Sequence, residues 1–273
     1  MARQKSRLHF TDSLPAPQRR SRVTLFDQAY ERIEELLVDC TLRPGRFLTV
    51  HDLQDITGFG RTPVHHAVNR LAADTLIAIR PRHGLQIVPI DLARERLLLK
   101  LRRDLERFVV ILATERADAA HLDRFRDLER ALTVQRAQLT LAKFNMLDRE
   151  IDRLILSAAG EPFLEHSLRP LRTLFRRIGH IHHSHVPGRA GLGGTIERHR
   201  AIVAAVASGR AEAAAAASDA LIDYVDSMFE ALAHDIEPAL LDCGAEIPSG
   251  RPAASGAYSG PVVRTGLHQQ HQA

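Results

Sequence analysis

Tryptophan is absent from the 273-residue chain, and aromatic residues make up only 5% of it. This is lean for a β-sandwich, whereas the abundance of alanine and leucine favours helices. The two cysteines, Cys40 and Cys243, are too few for a disulfide scaffold or a cysteine-based zinc site. No apolar run approaches the roughly 18 residues of a membrane span, and no export signal begins the chain. We therefore expect a cytoplasmic protein with no membrane partner.

The composition that remains is that of a globular protein, with 45% hydrophobic and 26% charged residues. The length fits one or two domains of about 100–200 residues each. Residues 1–20 lack periodicity and are predicted to be a flexible basic arm, and residues 237–273 are predicted to be a disordered tail rich in Pro, Gly, Ser and Gln. The ordered part is thus expected to span about 21–236.

The charge is unevenly distributed along the chain. Residues 1–22 carry a formal net charge of +5, residues 23–41 carry −4, and residues 42–90 carry +3 together with four histidines. A basic stretch of this kind can be the footprint of a phosphate backbone, although a solvated surface gives the same pattern.

Residues 21–90 read as a winged helix-turn-helix, with three helices and a β-hairpin wing. The first helix is predicted at about 24–39, the second begins after an N-cap at Thr49, and the third begins after an N-cap at Thr62 with Pro63 at the first helical position. Two β-like runs at 76–80 and 85–88 flank a basic turn. Helix, turn, helix and wing in this order are typical of a DNA-binding domain.

In such a domain the third helix enters the major groove and the wing lies beside the phosphates or the minor groove. Some winged helices bind only protein, which is the alternative for this domain. The candidate DNA-binding residues lie at the start of the third helix and at the wing tip: Arg61, Thr62, His65, His66, Arg82, His83 and Gly84.

Residues 91–236 have an all-helical pattern, which predicts a six-helix antiparallel bundle with an interior that can host a ligand. The predicted helices are 91–117, 119–140, 143–159, 161–185, 195–208 and 210–234. The glycine-rich stretch 186–194 lacks the strand and the Gly-Lys-Ser/Thr of a phosphate loop. The motifs of di-iron, serine-hydrolase and zinc-peptidase sites are also absent, so we expect no enzyme.

Several polar residues occupy apolar helical stripes of this bundle. Arg102 shares a face with Leu98 and Leu105, and Asp148 shares one with Phe144, Ile151 and, one turn on, Asp152. His199 shares a face with Ile196 and Ile202. Buried polar groups must be paired, and several of them from different helices indicate either a built ligand site or a set of core pairs.

The first half resembles the DNA-binding domain of GntR-family bacterial transcription regulators, and the second half resembles the FCD ligand-sensing domain of the FadR subfamily. The residues that carry the first resemblance are Leu42–Gly45, Gly58–Val64, Leu71 and Arg80–Gly84. Those that carry the second are Leu101–Glu106, Leu147–Asp152, Ala158–Gly160 and Glu197–Ile202. Together they cover about 210 of the 273 residues.

The resemblance implies arginine contacts to DNA at the start of both helices of the motif. Arg61 matches one of these arginines, but two other matching positions are histidines, His51 and His65. Histidine is shorter and only partly charged near neutral pH, so we expect weaker or more pH-sensitive binding, or a different operator.

The resemblance also implies a sensor site, in which Arg102 meets the carboxylate of a small organic or sugar acid. The family pattern supplies four metal ligands; here Asp148 and His199 match, Asp152 replaces a histidine, and Leu221 stands at the fourth position. Asp148, Asp152 and His199 could hold Zn²⁺, Mn²⁺ or Mg²⁺. They could instead pair with Arg102 or bind a cationic ligand group.

These observations predict a ligand-responsive regulator that binds a palindromic double-stranded DNA operator as a homodimer, with repression as the expected sign of control. The effector-binding set would be Arg102, Asp148, Asp152 and His199. The alternative is a DNA-binding regulator that is independent of metal and effector and carries a vestigial sensor pocket.

Overall fold

The computed structural model describes residues 24–134, 136–186 and 191–244. Its first helix, α1 (Leu25–Val38), starts at a capping box in which the side chains and backbone of Thr24 and Asp27 bond reciprocally. Its apolar face packs on α2 (Val50–Thr57) and α3 (Arg61–Ala73). The predicted N-cap at Thr49 of α2 is confirmed, since Thr49 and Asp52 form a second capping box.

The predicted N-cap at Thr62 is wrong, because the cap is Gly60, two residues earlier, and α3 begins at Arg61. Gly60 makes no side-chain cap, but its carbonyl accepts the Val64 N–H at 3.3 Å. Pro63 then occupies the third helical position. Its missing N–H costs nothing there, because the first N–H groups of a helix have no intrahelical acceptor.

The wing consists of β2 (Ile77–Arg80) and β3 (Gly84–Ile87), paired antiparallel with Arg80 opposite Gly84. A short strand that the sequence pattern did not reveal, β1 (Phe47–Leu48), pairs with the other edge of β3 and gives the order β1-β3-β2. Gly84 has φ +85°, and a Cβ there would lie 2.8 Å from the Leu48 carbonyl oxygen. Only glycine therefore fits where the wing crosses β1.

Six long helices follow in the predicted order. They are α4 (Leu92–Arg116), α5 (Ala119–Val134), α6 (Leu141–Ala159), α7 (Pro162–His185), α8 (Gly193–Ala207) and α9 (Ala211–Asp235). The predicted extension of α5 to residue 140 is wrong: the helix ends at Val134, and a 3₁₀ turn at Arg136–Gln138 leads to Thr140, which caps α6. Part of the glycine-rich stretch, 187–190, lies outside the described residues.

The predicted start of the tail at 237 is also wrong. A short helix, α10 (Pro238–Leu241), follows α9 and returns to the first domain. Ile90 donates its N–H to the Leu241 carbonyl at 2.8 Å, and Cys243 donates to the Pro44 carbonyl at 2.9 Å. These bonds and the burial of Ala239 order the segment. The predicted arm at 1–20 and residues 245–273 lie outside the described residues.

Two hydrophobic cores result, one in each domain. The first domain closes around residues of α1, α2, α3 and the sheet, together with Leu174, which α7 contributes. The second core fills the bundle and includes Ile90 from the linker. The α7 helix thus packs against both domains and places its polar side chains at the boundary between them.

Candidate nucleic-acid interface and sensor cavity

The start of α3 presents the predicted DNA-binding residues to solvent. Arg61, Thr62, His65 and His66 are all exposed. Arg61 forms no hydrogen bond or ion pair with any described residue, so its guanidinium is free to meet an external acceptor. A helix start that carries a free arginine can reach base edges or phosphates.

The histidines of this surface are already engaged with neighbours. The His65 ring nitrogen lies 3.3 Å from the Asn69 amide, and the His66 ring packs 4.8 Å from that of Phe26 on α1. His51 at the start of α2 lies 3.5 Å from the Asp55 carboxylate. His66 therefore faces the α1 side of α3, whereas Arg61 and Thr62 stand at its tip.

The wing tip brings Arg82 and His83 to the surface beside Pro81. Arg82 has φ +66°, a left-handed conformation that closes the turn between β2 and β3. Gly84 belongs to the same turn, but its close approach to β1 gives it a packing role. The wing tip thus presents basic side chains that suit contact with a phosphate backbone, whereas Ile79 of β2 is an exposed apolar residue of the wing.

The four predicted sensor residues lie inside the bundle, in a network that is larger than the sequence analysis anticipated. Asp148 and His199 meet directly, with Oδ1 and Nε2 3.1 Å apart. Arg102 does not touch either aspartate: its Nε donates to Glu106 Oε1 at 3.3 Å. The residues that connect these groups are Glu106, Arg172 and Arg176, which the sequence analysis missed.

Arg172 links Glu106 to Asp152. Its Nε and Nη2 donate to the two Glu106 oxygens at 2.9 and 2.7 Å, and its Nε also lies 3.3 Å from Asp152 Oδ1. Burial raises the pKa of Glu106, but Arg172 and Arg102 outweigh it and bring that pKa down to about 2. Glu106 is therefore a fixed anion.

Arg176 bridges the two aspartates. Its Nε donates to Asp148 Oδ2 at 2.6 Å, and its Nη2 donates to Asp152 Oδ2. Burial raises the pKa of Asp148, but Arg176 and His199 outweigh it and hold that pKa well below its usual range. Burial raises the pKa of Asp152, and the Asp148 and Glu106 carboxylates raise it further against the two arginines.

His199 donates from both ring nitrogens. Nδ1 lies 2.8 Å from the Thr195 carbonyl oxygen, and Nε2 lies 3.1 Å from the Asp148 carboxylate. Burial lowers the pKa of His199, but the hydrogen bond and charge of Asp148 outweigh it and raise that pKa overall. With acceptors at both nitrogens, the ring serves as a charged donor.

The expected metal ligands do not fit a metal in this arrangement. Both oxygens of Asp148 and both oxygens of Asp152 face hydrogen-bond donors, and a histidine whose two nitrogens both meet acceptors has no lone pair to offer. Within the described ranges, no group of three or more His, Cys, Asp or Glu side chains is placed to hold a metal ion. Leu221 is buried at the fourth position of the family pattern.

Beside this network lies a small cavity of about 50 Å³. Its wall is largely apolar and includes Phe144, Phe175, Leu221, Val225 and Met228. The polar groups on the wall come from the charged network and from His183, Thr195 and Asn145. His183 Nε2 lies 2.9 Å from the Thr195 hydroxyl oxygen.

Arg102 offers a free donor fork at this cavity. Its guanidinium packs on the Phe175 ring, with Cζ 5.1 Å from the ring centroid, and only its Nε bonds to a described residue. Its two terminal nitrogens are available to a ligand. A planar fork over an apolar wall matches a carboxylate.

Comparison with known proteins agrees with this division into a winged-helix domain and a helical bundle. Residues 25–87 match the model of the gntR family of bacterial regulatory proteins, and residues 97–224 match that of the FCD domain. No curated protein matches the chain.

The chain is similar to solved structures at low identity. E. coli McbR/YncC is 19% identical, with a TM-score of 0.65, and the match covers 77% of this chain and 98% of that one. A transcriptional regulator GntR from Rhodococcus sp. RHA1 is 18% identical, with a TM-score of 0.57, and covers 75% and 97%. At these identities the likeness shows a shared fold.

The winged helix, its exposed basic tip and the two family matches define a DNA-binding transcription regulator. More particularly, the chain belongs to the GntR family and carries an FCD domain. No described helix combines the length and apolarity that crossing a membrane requires.

Proposed function

We propose that this regulator senses a small carboxylate in the bundle cavity and changes its affinity for operator DNA in response. The observation that carries the proposal is the Arg102 fork, which lines the cavity and whose terminal nitrogens bond to no described residue. The small volume of about 50 Å³ and the largely apolar wall favour a short aliphatic carboxylate over a polyhydroxylated sugar acid.

The experiment is a thermal-shift screen of small carboxylates against the wild type and Arg102→Met. The variant keeps the bulk of the side chain and removes the fork. We expect at least one carboxylate to raise the melting temperature of the wild type and to leave Arg102→Met unchanged. Arg103→Met is the matched control, because Arg103 lies on the outside of α4 and pairs with Asp223 of α9. It should respond like the wild type.

An equal response of Arg102→Met would contradict the proposal. The absence of any response across the panel would also contradict it and would favour the alternative of an effector-independent regulator. That alternative draws support from the network itself, because Glu106, Asp148 and Asp152 are already neutralised within the protein. In that case the only role of the bundle would be to hold the subunits of the dimer together.

We further propose that the chain acts as a homodimer on a palindromic operator and represses transcription from the cytoplasm, as the resemblance to the FadR subfamily implies. The support for the dimer is an apolar stripe on α4. Leu97, Leu101 and Phe108 recur on one face and are 64%, 51% and 54% exposed. Another face of α4 is joined to α9 by ion pairs such as Arg96 with Asp226.

We propose that the same stripe of a second subunit packs against this surface. An isologous contact along α4 would bury the same side chains of both subunits around a two-fold axis. Such a contact would place two α3 tips side by side, as a palindromic site requires. The effector would then act by favouring one arrangement of the two DNA-binding domains over another.

A further inference from the structure

The aspartates of α6 surround a cation that the chain itself provides. Asp148 and Asp152 stand one helical turn apart, and the Arg176 guanidinium of α7 lies between their carboxylates. His199 of α8 contacts the other oxygen of Asp148, Oδ1. Two carboxylates and an imidazole are side chains of the kind that bind a divalent metal, but here the guanidinium lies between the two carboxylates, and the three groups are not placed to hold a metal ion.

We propose that Arg176 is the resident cation of the sensor cavity, in the place that a divalent metal would take, and that it joins this cavity to the DNA-binding domain through Glu34. This inference stands on side-chain geometry and does not require that the effector be a carboxylate. It replaces the metal that the family pattern led us to expect.

The charge balance around Arg176 supports this role. The single positive charge of the guanidinium is half that of a divalent ion, so two aspartates and one guanidinium leave one negative charge uncompensated. Glu106, which also pairs with Arg172, adds a second negative charge, and Arg172, 3.3 Å from Asp152, and the doubly donating His199 together balance the two. The bound cation can therefore be a side chain without leaving a buried carboxylate unpaired.

Arg176 also reaches beyond the bundle. Its Nη1 lies 4.0 Å from the carboxylate of Glu34, a buried residue of α1 that also accepts a hydrogen bond from Thr173. Arg176 lines both the sensor cavity and a cleft of about 720 Å³ between the two domains. The same guanidinium thus forms the wall between the cavity and α1, and a ligand that draws it towards the cavity would draw it from Glu34.

The inference is tested by metal titration of chelator-treated protein. Mn²⁺ and Zn²⁺ are added separately to the wild type and to Arg176→Ala, with calorimetry and thermal melting as readouts. Removal of the guanidinium frees the Oδ2 atoms of Asp148 and Asp152, and His199 can join them as a ligand once a metal displaces its Nε2 proton. We expect Arg176→Ala to gain one metal per chain and a rise in melting temperature of roughly 5–10 °C at a hundredfold excess over Kd.

The control is Arg176→Ala/Asp148→Asn, which should lose the gained site and report any binding to surface histidines. Arg176→Gln, which keeps a hydrogen-bonding group, serves if Arg176→Ala does not fold. The wild type should bind no more metal than this control. Metal bound one to one by the wild type and lost in Asp148→Asn would overturn the inference. A lack of Asp148-dependent binding in folded Arg176→Ala or Arg176→Gln would overturn it as well.

Discussion

Glu34 of α1 and Thr173 of α7 are joined by a buried hydrogen bond across the boundary between the two domains. The Thr173 hydroxyl donates to Glu34 Oε1, and neither residue is more than 5% exposed. Around this bond lie more exposed ion pairs, including Arg149 with Glu35 and Arg153 with Glu31. The buried contact is thus surrounded by a partly solvated rim of opposite charges.

Thr173→Val should weaken this boundary. The variant keeps the shape of the side chain but leaves a buried carboxylate oxygen with one fewer donor, which costs about 1–3 kcal/mol. Urea unfolding should show a loss of that size. Thr133→Val is the matched control, because Thr133 is an exposed helical threonine whose hydroxyl bonds only to the Glu129 carbonyl. Equal losses in the two variants would show that the Glu34 bond contributes nothing of its own.

Arg61→Ala should reduce operator affinity by about 1–3 kcal/mol if Arg61 reads a base, and it should relax sequence preference at one position of each half-site. Arg82→Ala at the wing should weaken binding to all sequences alike and reduce the salt slope by about one. Gel-shift titrations on a selected operator and on scrambled DNA at several salt concentrations separate the two effects. A wild-type sequence preference in Arg61→Ala would contradict base reading.

The histidine at position 65 stands where the family pattern has an arginine. We expect His65→Arg to strengthen DNA binding and to reduce its pH dependence, because a guanidinium stays charged throughout the physiological range. His65→Ala should weaken operator binding. The measurement is operator affinity between pH 6 and 8 for the three proteins. Unchanged affinity in His65→Ala would show that this side chain does not touch the DNA.

Leu101→Lys should dissociate the proposed dimer, because it places a charge in the centre of the exposed stripe on α4. The folded monomer should be undisturbed, since Leu101 is half exposed within the chain. Light scattering at micromolar concentration is the measurement. Phe163→Lys, at an apolar residue 72% exposed on α7, is the control and should remain dimeric. A monomeric wild type would refute the dimer outright.

The buried side chain of Glu95 makes the free energy of unfolding depend on pH. It is buried in α4, and neither carboxylate oxygen has a hydrogen-bond partner among the described residues. Burial raises the pKa of Glu95 from 4.5 to about 7. Because the folded state holds this proton more tightly than the unfolded chain, the stabilisation from Glu95 is complete below pH 4.5 and declines as the pH rises through 7.

Glu95→Gln should remove this decline. Relative to the wild type, we expect the variant to gain up to about 3 kcal/mol of unfolding free energy between pH 4.5 and pH 8. Denaturant titrations at both values measure the change. Glu115→Gln, on an exposed position of the same helix, should show no comparable trend. A difference between Glu95→Gln and the wild type that stays constant with pH would mean that the carboxyl is ionised throughout.

The helices were predictable because each buries one stripe at helical spacing and most begin at a recognisable cap. The N-cap predicted at Thr62 differs from the structure for a physical reason: threonine is a good N-cap, but the chain uses the extended backbone of Gly60 instead. The two-residue strand β1 is too short to show a period. The helix α10 is stabilised by contacts with the first domain, which no local pattern reveals.

The site was predictable only in part. Arg102, Asp148 and His199 were visible because they interrupt apolar stripes of their own helices. Arg172 interrupts the stripe of Leu168, Leu171 and Phe175 on α7 in the same way, so the same test applied to α7 would have found it. Which arginine meets which carboxylate depends on how α6 and α7 are aligned, and sequence periodicity carries no information on that alignment.

After α10 the chain returns to the first domain and contacts the loop that follows α1. Gly45 has φ +80°, and a Cβ at this position would lie 1.9 Å from an Asp242 carboxylate oxygen. The loop after α1 and the residues after α10 are therefore shaped to one another. A protein truncated after Ile236 would retain the buried residues of both cores but lose these contacts, and its DNA-binding domain would then be held to the bundle by the linker and by the contacts of α1 with α6 and α7.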